Sequence, residues 1–514
     1  MAQGNGTMTR SRWLRTLSLI LVLLGAAEAE AQGGAAVVSV DTSHPLPVPS
    51  RRHFAGGNMQ IMFTGEGYND PKMAAMLSGL DLGWMRFPAG TLDDVWDWRT
   101  GQMRPEWIAK FKNEKAAVYD RFVFADQILR AKGGNTLDDY AGLLKTLRTS
   151  PAGTPGSDDT HTIGVVNTFT DTPESAAALA VEAEKKGLHV DVWELGNEPF
   201  YFESFYPSGA AYLKAVEPYA KAIKAAVPTA KVAVYIQRND AWLQSMAGYK
   251  NRYWDELYWH PYPGAKDAAD VGARMAFYNE FLEGTTNRWV DQDLVRLFGP
   301  SMKMEISEYG VGAMRGTQYA AVFLAEFMLR FSSDPHVTQA GMHILVGRQG
   351  NGDNAIGVTD DHTEELVKAA KAGKTVDTTT LDYGFYYTPY GLEMELIDPV
   401  IGTSNAVFAT SVAGGASVST GTSSISAIYA QAFRSAGNAN HLLITNKSGT
   451  PQNVQVMVDG NPVHAIFHTR STGSTDSKAQ NSPTKQDEVK IVSATFQDIL
   501  VVPPYGVMDA VWQK

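Results

Sequence analysis

The sequence predicts an α/β protein, a (β/α)8 TIM barrel with an antiparallel β-sandwich appended to it. Three observations predict this. From about residue 51 to 395, short apolar runs alternate with longer stretches of helical periodicity, as βα units do. Eight such runs occupy that length, the number a closed parallel barrel requires. Beyond residue 396 the helical period stops, and short alternating runs rich in Ser, Thr, Gly and Val take over.

Taken in order, residues 1–31 read as a signal peptide. Arg10, Arg12 and Arg15 precede an apolar run at 17–27, and Ala29-Glu30-Ala31 has the small-x-small pattern of a cleavage site. The run is short for a bilayer span, so export to the periplasm or the exterior is expected, with no membrane attachment after cleavage. An alternating apolar strand in 36–50 is expected to join the sandwich at 396–514. The barrel, 51–395, is expected to place strands at 53–61, 84–87, 162–168, 190–195, 231–236, 256–260, 302–308 and 339–346. Helical spacing predicts intervening helices at 71–80, 173–186, 209–227 and 317–331. The span 91–159 reads as an insertion whose Trp96, Trp98 and Trp107 are candidates to wall a cleft. Residues 471–487, rich in Ser, Thr and Lys, read as a surface loop.

Composition narrows the partners. A formal charge of −11 argues against nucleic acid or an anionic membrane. The absence of cysteine excludes thiol catalysis and Cys-ligated zinc or iron, and leaves stability to the core. With 44% hydrophobic residues and 11 Trp, the chain can fill a large core and still line a cleft with aromatics. No Gly-rich phosphate loop follows a strand, and Asp353-Asn354 with Asp360-Asp361-His362 lacks the spacing and closing glutamate of a calcium loop. No metal and no cofactor are expected.

Two strand ends carry the chemistry. In Asp191-Val192-Trp193-Glu194-Leu195-Gly196-Asn197-Glu198-Pro199 an apolar strand exits through glycine and presents Asn197 and Glu198 before a proline that stops the ladder. In Lys303-Met304-Glu305-Ile306-Ser307-Glu308-Tyr309-Gly310 a second strand delivers Glu308 to its end. In a parallel barrel both positions fall on the C-terminal rim, where catalytic groups sit. One carboxylic acid and one carboxylate about 5 Å apart can cleave a glycosidic bond with retention, the first as proton donor and the second as nucleophile. Glu305, three residues before Glu308, reads as a deeper structural carboxylate and stands as the alternative nucleophile.

Together these motifs resemble clan A, the 4/7 superfamily of retaining glycosidases. Met85-Arg86-Phe87-Pro88-Ala89-Gly90-Thr91 is similar to the second-strand motif whose arginine holds the nucleophile, and Trp259-His260-Pro261-Tyr262 to the sixth-strand motif beside both carboxylates. Pro503-Pro504-Tyr505-Gly506-Val507 resembles the closing strand of the accompanying sandwich. The arrangement looks most like family 79, the heparanase and β-glucuronidase group, with the family 51 α-L-arabinofuranosidases next. One departure concerns the sugar. Family 79 places Tyr-Gly-Gly five residues after its nucleophile to hold a uronate, whereas Tyr309-Gly310-Val311-Gly312 begins one residue after Glu308.

The resemblance implies a retaining hydrolase of an oligosaccharide, polysaccharide or simple glycoside, with Glu198 as acid/base and Glu308 as nucleophile. Arg86, Asn197, His260 and Tyr262 would support them: Arg86 and Tyr262 by keeping the nucleophile ionised, Asn197 by bonding the sugar 2-hydroxyl. A β-glucuronidase leads the expectation. An α-L-arabinofuranosidase, xylosidase or endo-glycanase is the alternative on the same barrel, and a non-catalytic carbohydrate-binding protein the alternative of another class. A uronate demands cations at the cleft, for which Arg315 and Arg348 are the candidates. Asn58, Asp93, Trp193, Trp259 and Tyr309 are candidate sugar contacts, Asn58 reading equally as a turn residue; Asp94, like Asp93, reads as a hydroxyl contact or a cap of the next helix, and His343 as a core histidine.

Overall fold

The computed structural model describes residues 34–59, 67–111, 134–148, 160–264, 268, 270–285, 289–348, 354–359, 368–369, 372–375 and 384–513. The expected signal peptide, parts of the 91–159 insertion, and Asp353, Asp360, Asp361 and His362 lie outside them. Among the described residues no helix is long and apolar enough to cross a membrane.

Eight parallel strands close into a barrel: β1 Ala55–Asn58, β2 Trp84–Phe87, β3 His161–Val166, β4 Val190–Leu195, β5 Val232–Tyr235, β6 Glu256–Tyr258, β7 Met304–Tyr309 and β8 Val337–Met342. β8 pairs with β1 to complete the ring. Helices Pro71–Ser78, Pro173–Lys185, Gly209–Ala226 and Gln318–Ser332 return the chain between strands. Thr172, Ser208 and Thr317 cap the last three by accepting an N–H of the first turn.

Register decides which side chains fill the barrel, because residues paired across parallel strands share a face. Glu194 pairs with Ala233, Ala233 with Glu256, Tyr258 with Glu305, and Glu305 with Gln339. These residues point inward and make the barrel interior polar on one side. Opposite them Trp84 fills the floor. A Cβ on Gly56 or Gly341 would come within 2.5 Å of its indole, so both neighbours are bare. The indole N–H donates to Phe54 O at 3.0 Å.

The C-terminal region forms one ten-stranded sheet, mostly antiparallel, that curls around its own core of Val38, Phe408, Ile444, Val456, Leu500 and Trp512. The expected sandwich is thus a single hydrogen-bonded sheet bent on itself. The leading strand Ala36–Pro45 lies within it, antiparallel to Ser404–Ala413 and parallel to Gln452–Val458. Helix Gln318–Ser332 runs between the two structures with nearly every side chain buried. Its Glu326 pairs with Lys447 of the sheet and accepts from Thr445 Oγ1 at 3.1 Å. Its Gln318 amide donates to Tyr505 O at 2.8 Å.

Candidate active site

Beyond β4 the chain must turn sharply to bring a side chain over the barrel mouth. Gly196 takes φ 86°, a conformation that favours glycine, and a Cβ there would meet Thr168 Oγ1 at 2.6 Å. The Tyr258 hydroxyl pins the Gly196 carbonyl at 2.5 Å. Glu198 itself sits in the left-handed region, φ 46° and ψ 47°, unusual for a residue with a side chain and characteristic of functional turns. Its carboxyl Oε1 lies 3.1 Å from His260 Nδ1.

Glu308 reaches the same space through a bulge. On the outer face Ile306 pairs with Ala340 and Tyr309 with Met342, so Ser307 and Glu308 together oppose the single residue Gly341. A regular strand that sends Glu305 and Ser307 inward would send Glu308 outward. The extra residue turns Glu308 inward as well. There Arg86 and Asn58 donate to its Oε1, Asn58 from 2.8 Å, and the Tyr262 hydroxyl donates to Oε2 at 2.5 Å. Ligating atoms of Glu198, His260 and Glu308 all lie within 4.8 Å of one another. That separation suits attack and protonation on one sugar ring and is too small for a water between the carboxylates.

Arg86 organises the charges beneath. Fully buried on β2, it donates to Glu194 Oε2 at 2.7 Å, to Glu308, and to Asn197 Oδ1 at 2.9 Å. Burial opposes its charge, but Glu194 and Glu308 hold its pKa above the usual value. Burial likewise opposes ionisation of Glu308, yet its pKa falls below the usual range; with the neighbouring imidazoles depressed, the Arg86 cation is what holds it ionised at pH 7. Burial pushes His260 down to about 3, leaving its imidazole neutral at pH 7. Glu305 is different. Burial and the neighbouring Glu194 and Glu256 hold its pKa well above the usual range, so it sits protonated in the interior.

The other sequence candidates divide. Asn58 serves Glu308 rather than facing an open cleft, and Asn197 gives its oxygen to Arg86 and its amide to Thr91 Oγ1 at 3.3 Å. Trp193 packs its ring over Gly164, Trp259 is buried, and Tyr309 packs on Phe327, so these three are core positions rather than open sugar platforms. Asp93 and Asp94 are buried in the turn Thr91–Val95, where burial raises both carboxyls. Trp96 and Trp107 also belong to the core, Trp96 edge-on to Phe87. His343, read as a core histidine, instead has Nε2 3.9 Å from Glu308 Oε2 and its ring edge-on to Tyr262. Sequence reading missed Glu194, Ser307 and Tyr201. Glu194 was detectable as an ionisable residue at an inward strand position. The ring of Tyr201 is 42% exposed and close enough to Glu198 to feel its charge.

No protein-family model matches the sequence, and no curated protein matches it. Solved structures do. The GH51 arabinofuranosidase from Xanthomonas axonopodis pv. citri aligns with a TM-score of 0.66 at 14% identity, over 93% of this chain and 100% of that one. The α-L-arabinofuranosidase from Thermotoga maritima, solved as an arabinose complex, aligns at 0.65 and 15%, again over 93% and 100%. The fold is that of the GH51 arabinofuranosidases. A GH44 xyloglucanase from Paenibacillus polymyxa shares the GH51-like architecture at 0.56 and 14%, over 93% and 99% of the two chains. The likeness runs to GH51 enzymes, the second-ranked resemblance in the sequence, and to a GH44 enzyme the sequence did not suggest, and gives no specific support to family 79.

Proposed function

We propose that the chain is a retaining glycoside hydrolase acting on neutral sugars, foremost an α-L-arabinofuranosidase, with Glu198 as acid/base and Glu308 as nucleophile. The observation that carries this is the approach of the Glu198 and Glu308 carboxyl groups to within 4.8 Å, with Arg86 and Tyr262 on Glu308. Glu308 attacks the anomeric carbon while Glu198 gives its proton to the leaving oxygen. Glu198 then takes a proton from water, and that water releases the sugar from Glu308. Fold likeness to arabinofuranosidases supports the neutral sugar over a glucuronide.

One observation favours a charged sugar as a second reading. Burial lowers the His343 pKa, and the Arg315 cation acts in the same direction, so a positive group lies near the cleft. The Arg348 side chain lies outside the described residues. A panel of aryl arabinofuranoside, xyloside, glucoside and glucuronide decides between them. Highest kcat/KM on arabinofuranoside supports the main reading, highest on glucuronide replaces it with the second, and hydrolysis of none returns the chain to a carbohydrate-binding role.

A further inference from the structure

At the opposite end of the barrel, three side chains of metal-ligating type converge from three separate segments. His53 precedes β1, His161 opens β3, and Asp191 lies at the start of β4. One ligating atom of each falls within 4.8 Å of the other two, and all three residues are half-buried, open to an ion from solvent. We propose that this rim binds a divalent transition metal of the zinc type through His53, His161 and Asp191.

Four features support a built site. The His53 and His161 rings stack with centroids 3.5 Å apart and planes 29° from parallel. The hydrogen bond between His161 Nδ1 and Asp191 Oδ1, 2.7 Å, holds these two side chains side by side, closer than the ~3.3 Å that adjacent ligands of a tetrahedral zinc keep. Asp191 is held from behind: the Gln339 amide donates to its Oδ2 at 2.8 Å and to His53 O at 3.1 Å, tying two of the ligands to β8. Arg148, on the same rim, directs its guanidinium at the carbonyls of Thr160 and Gly187. Imidazole and carboxylate in this ratio select zinc, copper(II) or nickel over calcium and magnesium. On the N-terminal face such an ion would tie β1, β3 and β4 together, away from the chemistry on the other rim.

The test titrates zinc chloride by calorimetry into the full chain carrying Glu308→Gln, which disables the Glu198, His260 and Glu308 set as a competing site. The expected result is one equivalent bound and a Tm raised by zinc. His161→Ala and His53→Asn, each placed in that background and checked for native circular dichroism, should lose the binding and the Tm shift. Zinc binding undiminished in both folded variants, or no binding in the Glu308→Gln protein, overturns the proposal.

Discussion

The His260 ring joins the two catalytic strands: its Nδ1 stands 3.1 Å from Glu198 Oε1, and its Nε2 stands 3.1 Å from Ser307 Oγ. Burial raises the pKa of the neighbouring Glu194, and Arg86 and the Ser307 hydroxyl act against it. In the tautomer with the ring proton on Nε2, Ser307 Oγ accepts that proton and Nδ1 faces Glu198 as an acceptor. That tautomer receives the proton of a protonated Glu198.

Ser307→Ala removes this constraint without touching a reacting atom. It should lower kcat about tenfold on substrates with poor leaving groups and little on activated aryl glycosides, short of the ~10²–10⁴ that loss of the acid itself costs. Ser307→Thr should restore most of it. A leaving-group series on the three proteins checks this, and equal loss across the series would contradict it.

Glu308→Ala should abolish turnover, and added azide should restore it by yielding a glycosyl azide of inverted configuration. Glu305→Gln should keep hydrolysis within about fivefold of the parent, because an amide replaces a carboxyl that is already neutral. Rescue by azide in a Glu305→Ala protein would reverse the two assignments.

Arg86→Lys exchanges a forked donor for a point charge and should cost about 10²-fold in kcat. Its signature is the pH profile. Glu308 titrates below the usual carboxylate range and must be ionised to attack, so weakening Arg86 lets its pKa rise and moves the acidic limb to higher pH. An acidic limb that stays in place would show that Arg86 does not set this ionisation.

Lys447→Met should destabilise the protein by about 3 kcal/mol in urea unfolding, because it leaves buried Glu326 with Arg330 as its remaining cation. Glu326→Leu combined with Lys447→Met should recover most of that loss. Burial raises the Glu326 pKa, but Lys447 and Arg330 outweigh it and hold it below its ordinary value. Its stabilisation is therefore present above the ordinary carboxylate pKa and is lost as pH falls through the depressed one. The double variant should show a flatter acid limb of stability.

Arg315→Gln separates the two readings of the sugar. On a neutral glycoside kcat/KM should stay within about fivefold, since an exposed cation makes no bidentate contact there. A loss confined to the glucuronide would favour the second reading.

The barrel was legible because its strands are short apolar runs between amphipathic helices, and β2 and β4 fall at the expected bounds. Glu198 was legible because glycine and proline bracket it. Alternation alone would put Glu305 and Glu308, three residues apart, on opposite faces of a regular strand, and only the bulge, which the sequence does not announce, brings both inward. Trp193 and Tyr309 looked like sugar platforms because an aromatic at a strand end reads the same whether it faces a helix or a cleft. The His53, His161 and Asp191 cluster was invisible for another reason: more than a hundred positions of chain separate its outer members, and only barrel closure makes them neighbours.

The helix Gln318–Ser332 follows directly on the strand that carries Glu308, and its far side is bonded into the curled sheet. Severed from residues 404–513, the barrel would leave Glu326 and Gln318 without these partners and a largely apolar helix facing water. What looks like an accessory module is in mechanical terms the rear mounting of the strand that carries Glu308. Loosening the joint between the two sheets should be felt first as lost turnover, before any loss of the folded state.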